Sequence, residues 1–234
     1  MRSIQTDHIF RGAVDLYRYV MFWVLVIFGI GAVVRAGLWV FVEKMSAIEV
    51  TWSNLFRGPG QVFMLVAGIV TGGYVIHYYI RQGVIRRSFL VSGVLAGLAV
   101  AVSLQVIGML VYGLAVLLEP LVPIAVHRSG VPLLGITVDL LVTTALYLMG
   151  WIVGFAFSRF SLPGGMLATV LGIAVLGSLT SLWGENVTIS VTGFTMPPVD
   201  GLSIPMSIFV TVGLLTAQLV SLYFLVRNAP LRVK

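Results

Sequence analysis

The sequence predicts an all-α polytopic membrane protein with six transmembrane helices, an N-terminal interfacial helix and both termini in the cytoplasm. Three observations predict it. Hydrophobic residues make up 59% of the 234 positions and charged residues 9%, against about 25% charged in a soluble domain. Mean hydropathy is +1.07, and apolar runs long enough to cross a core of about 30 Å recur along the chain. The cations also segregate. With six crossings, the inner segments hold Arg2, Arg11, Arg18, Arg81, Arg86, Arg87, Arg159, Arg227, Arg232 and Lys234, and the outer ones hold Lys44, Arg57 and Arg128. That asymmetry sets the orientation.

Residues 1–18 read as the interfacial helix. Asp7, Arg11, Asp15 and Arg18 recur at spacings that share one helical face, with Ile9, Phe10, Ala13, Val14 and Tyr17 largely opposite. The N-terminus lacks the pattern of a cleaved signal peptide. The transmembrane domain is expected over 19–226, with spans at 19–42, 61–80, 88–118, 133–157, 166–183 and 205–226, and a basic cytoplasmic tail at 227–234. Arg35 interrupts the first span near Glu43, where it can snorkel outward. The first outer loop, 43–60, carries Trp52 and Phe56 as interfacial anchors.

The second span ends in His77, Tyr78 and Tyr79, an aromatic belt before a basic connection. The third, at 31 uncharged residues, would be about 46 Å long and must tilt or emerge. Gln105 is its strongly polar interior residue. The next outer loop holds Pro120, Pro123 and Pro132 and is no regular helix. Asp139 lies inside the fourth span, about two turns from Pro132. It reads either as a substrate- or proton-handling group or as a residue near the outer surface. A tight inner turn is expected at Ser158–Gly165. The segment 185–204, with Pro197, Pro198 and Asp200, is irregular and has the make-up of a re-entrant piece.

Enzymatic constellations are missing. The sequence contains no HExxH and no GxxxxGK[ST] loop, so nucleotide hydrolysis by this chain alone is not expected, nor is a catalytic, metal or cofactor site. With no cysteine there is no disulfide and no thiolate chemistry. The net charge of +6 fits topology and anionic headgroups rather than nucleic acid. GxxxG spacings occur at Gly68–Gly72, Gly93–Gly97 and Gly150–Gly154. They can mark close helix contacts, although 26 glycines in 234 residues yield about three such spacings by chance.

The densest interior cluster of positive charge is RQGVIRRSFLVSG, Arg81 to Gly93. An ordinary positive-inside loop has the same composition, so on charge alone it only orients the chain. However, Gly83–Gly97 resembles the cytoplasmic motif of small bacterial ATP-binding-cassette exporter permeases of the type-two class. In that family a Gly-x-Ser-Arg-Arg-x-Phe-like segment links spans two and three. Gly83, Arg86, Arg87, Ser88 and Phe89 match, and Ile85 stands where serine is usual. Gly150–Leu167 is similar to the family's turn between spans four and five, with Arg159-Phe160 and a following glycine.

The resemblance implies a permease subunit in a bacterial cell membrane. It would pair with a second permease copy, sit among membrane lipid and engage two copies of a separate cytoplasmic ATPase that holds the ATP and Mg. Gln82, Gly83, Val84, Ile85, Arg86, Arg87, Ser88 and Phe89 would form the coupling helix, with Val84, Ile85 and Phe89 in a partner groove and the arginines on its acidic rims. Arg35, Gln105 and Asp139 would line the translocation path. The resemblance implies export, and the sparse interior charge points to an amphipathic or hydrophobic substrate such as a peptide, lipid or drug. Two other classes remain open. One is a six-helix substrate-capture subunit of a vitamin-uptake transporter, which would bind its ligand unaided. The other is a non-transporting immunity-type membrane protein.

Overall fold

A computed structural model describes residues 2–41, 52–82, 84–118, 133–183 and 204–227. The elements are α1 (Arg2–Phe41), α2 (Trp52–Val70), a π-helical segment (Thr71–Val75), α3 (Ile76–Arg81), α4 (Arg86–Leu118), α5 (Leu133–Leu182) and α6 (Ile204–Arg227). Among the described residues there is no strand. Six stretches are long and apolar enough to cross a bilayer: Ile9–Gly31, Gly60–Arg81, Arg86–Leu114, Gly135–Phe160, Leu162–Leu179 and Pro205–Arg227. The protein is therefore an all-α, multi-pass membrane protein. This is the outcome expected where each backbone polar group must be satisfied within its own segment.

α5 is unbroken in helical conformation over 50 residues, yet it is a hairpin. Gly172 lies against Met149, and Trp183 packs on Val138, Val142 and Leu146. A straight helix would hold Gly172 and Met149 roughly 34 Å apart. The reversal falls where the sequence expects it, at Ser158–Gly165, although no residue there leaves helical conformation. Pro163 removes one ladder bond. Gly164 leaves room for the Phe160 Cβ and Gly165 for the Phe157 ring, which occupy the space a Cβ would take.

The first arm of α5 is the central helix. In Gly135–Phe160, 78% of the most apolar window is buried, against 17–33% in the other spans. The glycine spacings explain how the neighbours reach it. Gly68 of α2 and Gly72 of the π-helical segment that continues it meet Gly150, Tyr147 and Trp151 backbone, and Gly154 meets the backbone of Ile69 and Gly73. Two GxxxG faces thus cross with main chain against main chain, which only small residues permit. The third spacing receives side chains. The Trp151 ring fills the place of a Cβ at Gly93, and the Tyr147 ring does so at Gly97. All three motifs converge on about two turns of α5, Tyr147 to Gly154, glycine side to α2 and aromatic side to α4. The Tyr147 hydroxyl donates to the Gly93 carbonyl at 3.2 Å.

α1 runs parallel to α4. The Ser92 hydroxyl donates to the Ile9 carbonyl at 2.8 Å, and the Tyr17 and Ser103 hydroxyls are 3.0 Å apart. Ala13, Leu16, Val20 and Val24 form its buried stripe. At one end of the bundle α6 is tied to α5 by Ser207 Oγ on the Leu182 carbonyl at 3.3 Å and by Trp183 Nε1 on Thr211 Oγ1 at 3.2 Å. At the other end lie Arg11, Arg81, Arg86, Arg87, Arg159 and Arg227.

Two boundaries differ from the sequence reading. No break separates an interfacial helix at 1–18 from the first span. α1 is continuous, and its apolar window opens at Ile9 rather than Tyr19. Contact with α4 from Ile9 onward draws this region into the bundle. Arg11, Asp15 and Arg18 of the polar face are exposed, and so is Phe10 of the opposite set, at 70%. α2 also begins at Trp52 and carries helix through Gly58, Pro59 and Gly60, where a loop to residue 60 was expected. Local breakers give a weak prior that internal backbone bonding can override. The expected loop at 119–132, the re-entrant segment expected at 185–204 up to residue 203, and the tail from 228 lie outside the described residues.

Candidate functional site

The basic end is built around a tight turn. α3 stops at Arg81, and Gln82 leaves helical geometry at φ −82°, ψ 5°. The Gln82 N–H reaches the Tyr78 and Tyr79 carbonyls at 3.3 and 3.2 Å, and the Val84 N–H reaches the Tyr79 carbonyl at 3.1 Å. The Phe89 N–H then donates to the Ile85 carbonyl at 3.0 Å, which starts α4. Gly83 lies outside the described residues.

This geometry corrects the expected coupling helix. Gln82, Val84 and Ile85 form a turn, and Arg86, Arg87, Ser88 and Phe89 are the first turn of the long α4 rather than a separate short helix. Of the three apolar residues expected to face a partner, Ile85 is exposed, at 61%. Val84 is half-buried, and Phe89 is buried at 2%. Phe89 stacks on Trp151, with ring centroids 5.5 Å apart and planes 9° apart, and it touches Tyr79 at 5.4 Å. Trp151 continues to Tyr147 at 5.9 Å. A file of four rings therefore joins the surface turn to the glycine crossing.

The two matching arginines also separate. Arg87 is exposed. Arg86 donates from Nη1 to the Arg227 carbonyl at 3.3 Å. Arg159 does the same to the Leu225 carbonyl at 3.2 Å and lies 4.9 Å from the Phe160 ring centroid. The last carbonyls of a helix have no partner within it and carry its negative end. Arg86 and Arg159 supply that partner to α6, so both hold the bundle's basic end together.

Behind the turn lies an open cleft of about 430 Å³. Arg11, Gly12, Asp15 and Leu16 of α1 line one wall, Tyr79, Gln82, Val84 and Ile85 another, and Ser88, Phe89 and Ser92 of α4 the floor. Ser92 is committed to the Ile9 carbonyl, and Gly12 allows the approach, with Ser92 Oγ 3.2 Å from where its Cβ would sit. The sequence reading found Gln82, Val84, Ile85, Ser88 and Phe89 but not Arg11, Asp15, Tyr79 and Ser92 as parts of one site. The exposed face of α1 was the available signal, and its partner was not legible.

Of the three residues assigned to a path, Asp139 and Gln105 have side chains among those described. Asp139 is buried beside the Val138, Val142 and Trp183 cluster, at the end of the bundle away from the arginines. Gln105 is half-buried on α4. Arg35 belongs to α1, but its side chain lies outside those described. Compared with known proteins, the chain matches no family, no curated protein and no solved structure.

Proposed function

We propose that this chain is the transmembrane permease subunit of a bacterial ATP-driven exporter, moving an amphipathic or hydrophobic substrate out of the cytoplasm. A second permease copy and two cytoplasmic ATPase subunits complete the assembly, with ATP and Mg on the ATPases. The resemblance of Gly83–Gly97 and Gly150–Leu167 to that family supports the reading. So does the positive-inside rule, which puts the arginine-rich end in the cytoplasm.

One observation carries it furthest: the exposed Ile85 and Arg87 sit on a turn whose next residues are locked into the bundle through Phe89 and Trp151. A partner that pushes on Ile85 therefore pushes on α4, and through the ring file on α5. A loop that only set topology would need no such rigid tie.

The test follows from how the site divides its labour. Arg86 is a structural tie, so the variant is Ile85→Asp with Arg87→Glu, both exposed. Co-purification of the ATPase from host membranes should fall about tenfold, some 1.4 kcal/mol of binding, while membrane insertion and thermal stability stay unchanged. Undiminished co-purification would contradict the coupling role.

A further inference from the structure

We propose that the cleft between α1 and the α3–α4 turn binds the headgroup of a zwitterionic phospholipid, one with a phosphate and a primary ammonium. The inference is independent of the transport reading.

The cleft holds one cation and one anion, Arg11 and Asp15. Four residues apart on a helix, their Cβ atoms are roughly 5–6 Å from each other. Both are exposed, and no ion pair joins them among the described residues. A headgroup whose phosphate and ammonium are joined by two carbons presents opposite charges at a matching short separation. Arg11 takes the phosphate, for which a guanidinium is well shaped. The Gln82 amide and the Ser88 hydroxyl, both lining the cleft, add donors to the phosphoryl oxygens. Asp15 takes the ammonium, whose three N–H groups it and the Tyr79 oxygen can accept.

The volume of about 430 Å³ lies in the range that holds a small ligand. A lipid, rather than a free zwitterion, fits the setting. The cleft lies where α1 and α4 begin their apolar windows. Phe10, next to Arg11, is 70% exposed and offers apolar surface to the acyl chains.

Native mass spectrometry of the purified full chain tests it, with phosphatidylethanolamine, phosphatidylcholine and phosphatidylglycerol supplied in equal amounts. The parent chain should retain phosphatidylethanolamine about fivefold over each of the others, since three methyl groups block donation to Asp15 and phosphatidylglycerol has no ammonium. Asp15→Asn should erase the preference over phosphatidylcholine. Arg11→Gln should lower retention of all three, and Arg87→Gln, outside the cleft, should change nothing. Soluble O-phosphoethanolamine should not displace the lipid. Equal retention of the three lipids by the parent chain, or preference for phosphatidylglycerol, would overturn the proposal whether or not the variants fold. Displacement by the soluble headgroup would overturn the lipid assignment.

Discussion

Gly154→Leu is expected to break the centre of the bundle. A Cβ at Gly154 would lie 2.2 Å from the Ile69 carbonyl oxygen and 2.9 Å from the Gly73 nitrogen. Both are main-chain atoms, so no rotamer change relieves the clash, and α2 must move off α5. Overpacking costs about 1–3 kcal/mol and occasionally more, and contact with backbone on the opposing helix puts this case at the top of that range. The comparison is Gly213→Ala on α6, where nothing lies within 4 Å. There alanine should be neutral or stabilise by up to about 1 kcal/mol, the helix-propensity difference. Unfolding in a mixed-detergent titration measures both. Equal behaviour of the two variants would mean that the crossing of α2 and α5 is not tight.

The second large effect is expected at Trp151. Its ring is 1% exposed, stacks on Phe89 and occupies the groove that Gly93 leaves. Trp151→Ala should cost about 3–5 kcal/mol through lost contact and the cavity left behind. It should also loosen the basic turn, because Phe89 loses its stacking partner. Trp151→Phe should be far milder, below about 1.5 kcal/mol. The indole N–H finds no hydrogen-bond partner among the described residues, so removing it leaves nothing unpaired. The same titration, with proteolysis at the turn as second readout, separates the two. Equal losses for alanine and phenylalanine would show that the indole nitrogen has a partner the packing argument omits.

What was legible in the sequence was what the bilayer enforces. Six apolar runs and the sorting of arginines follow from a solvent that accepts neither bare backbone nor charge, and the six spans are present. What was not legible depends on partners far along the chain. The GxxxG spacings matched chance expectation in number, and spacing alone does not name the opposing helix. Their meaning lies in Tyr147 and Trp151, which point at Gly97 and Gly93 while Gly150 and Gly154 face α2. Phe89 sits beside charged residues and reads as surface until Trp151 is placed against it. On charge alone Arg86 and Arg159 read as topology signals, and the resemblance sets Arg86 on the rim of a partner groove, whereas their carbonyl partners on α6 lie 141 and 66 residues away. The boundary errors at α1 and α2 share a cause: local polarity and Gly-Pro-Gly mark where a helix can stop, not where packing makes it continue.

The coupling role proposed above requires that Ile85 face the cytoplasm and be gripped there by an ATPase. The direct measurement places a photo-crosslinking amino acid at Ile85 in living host cells, with the same probe at Leu110 of α4, which is 68% exposed within an apolar span, as reference. Irradiation should yield a covalent adduct between position 85 and one cytoplasmic nucleotide-binding protein, with lipid adducts alone at position 110. Lipid adducts alone at position 85, or an adduct there with a protein of the outer face, would contradict it.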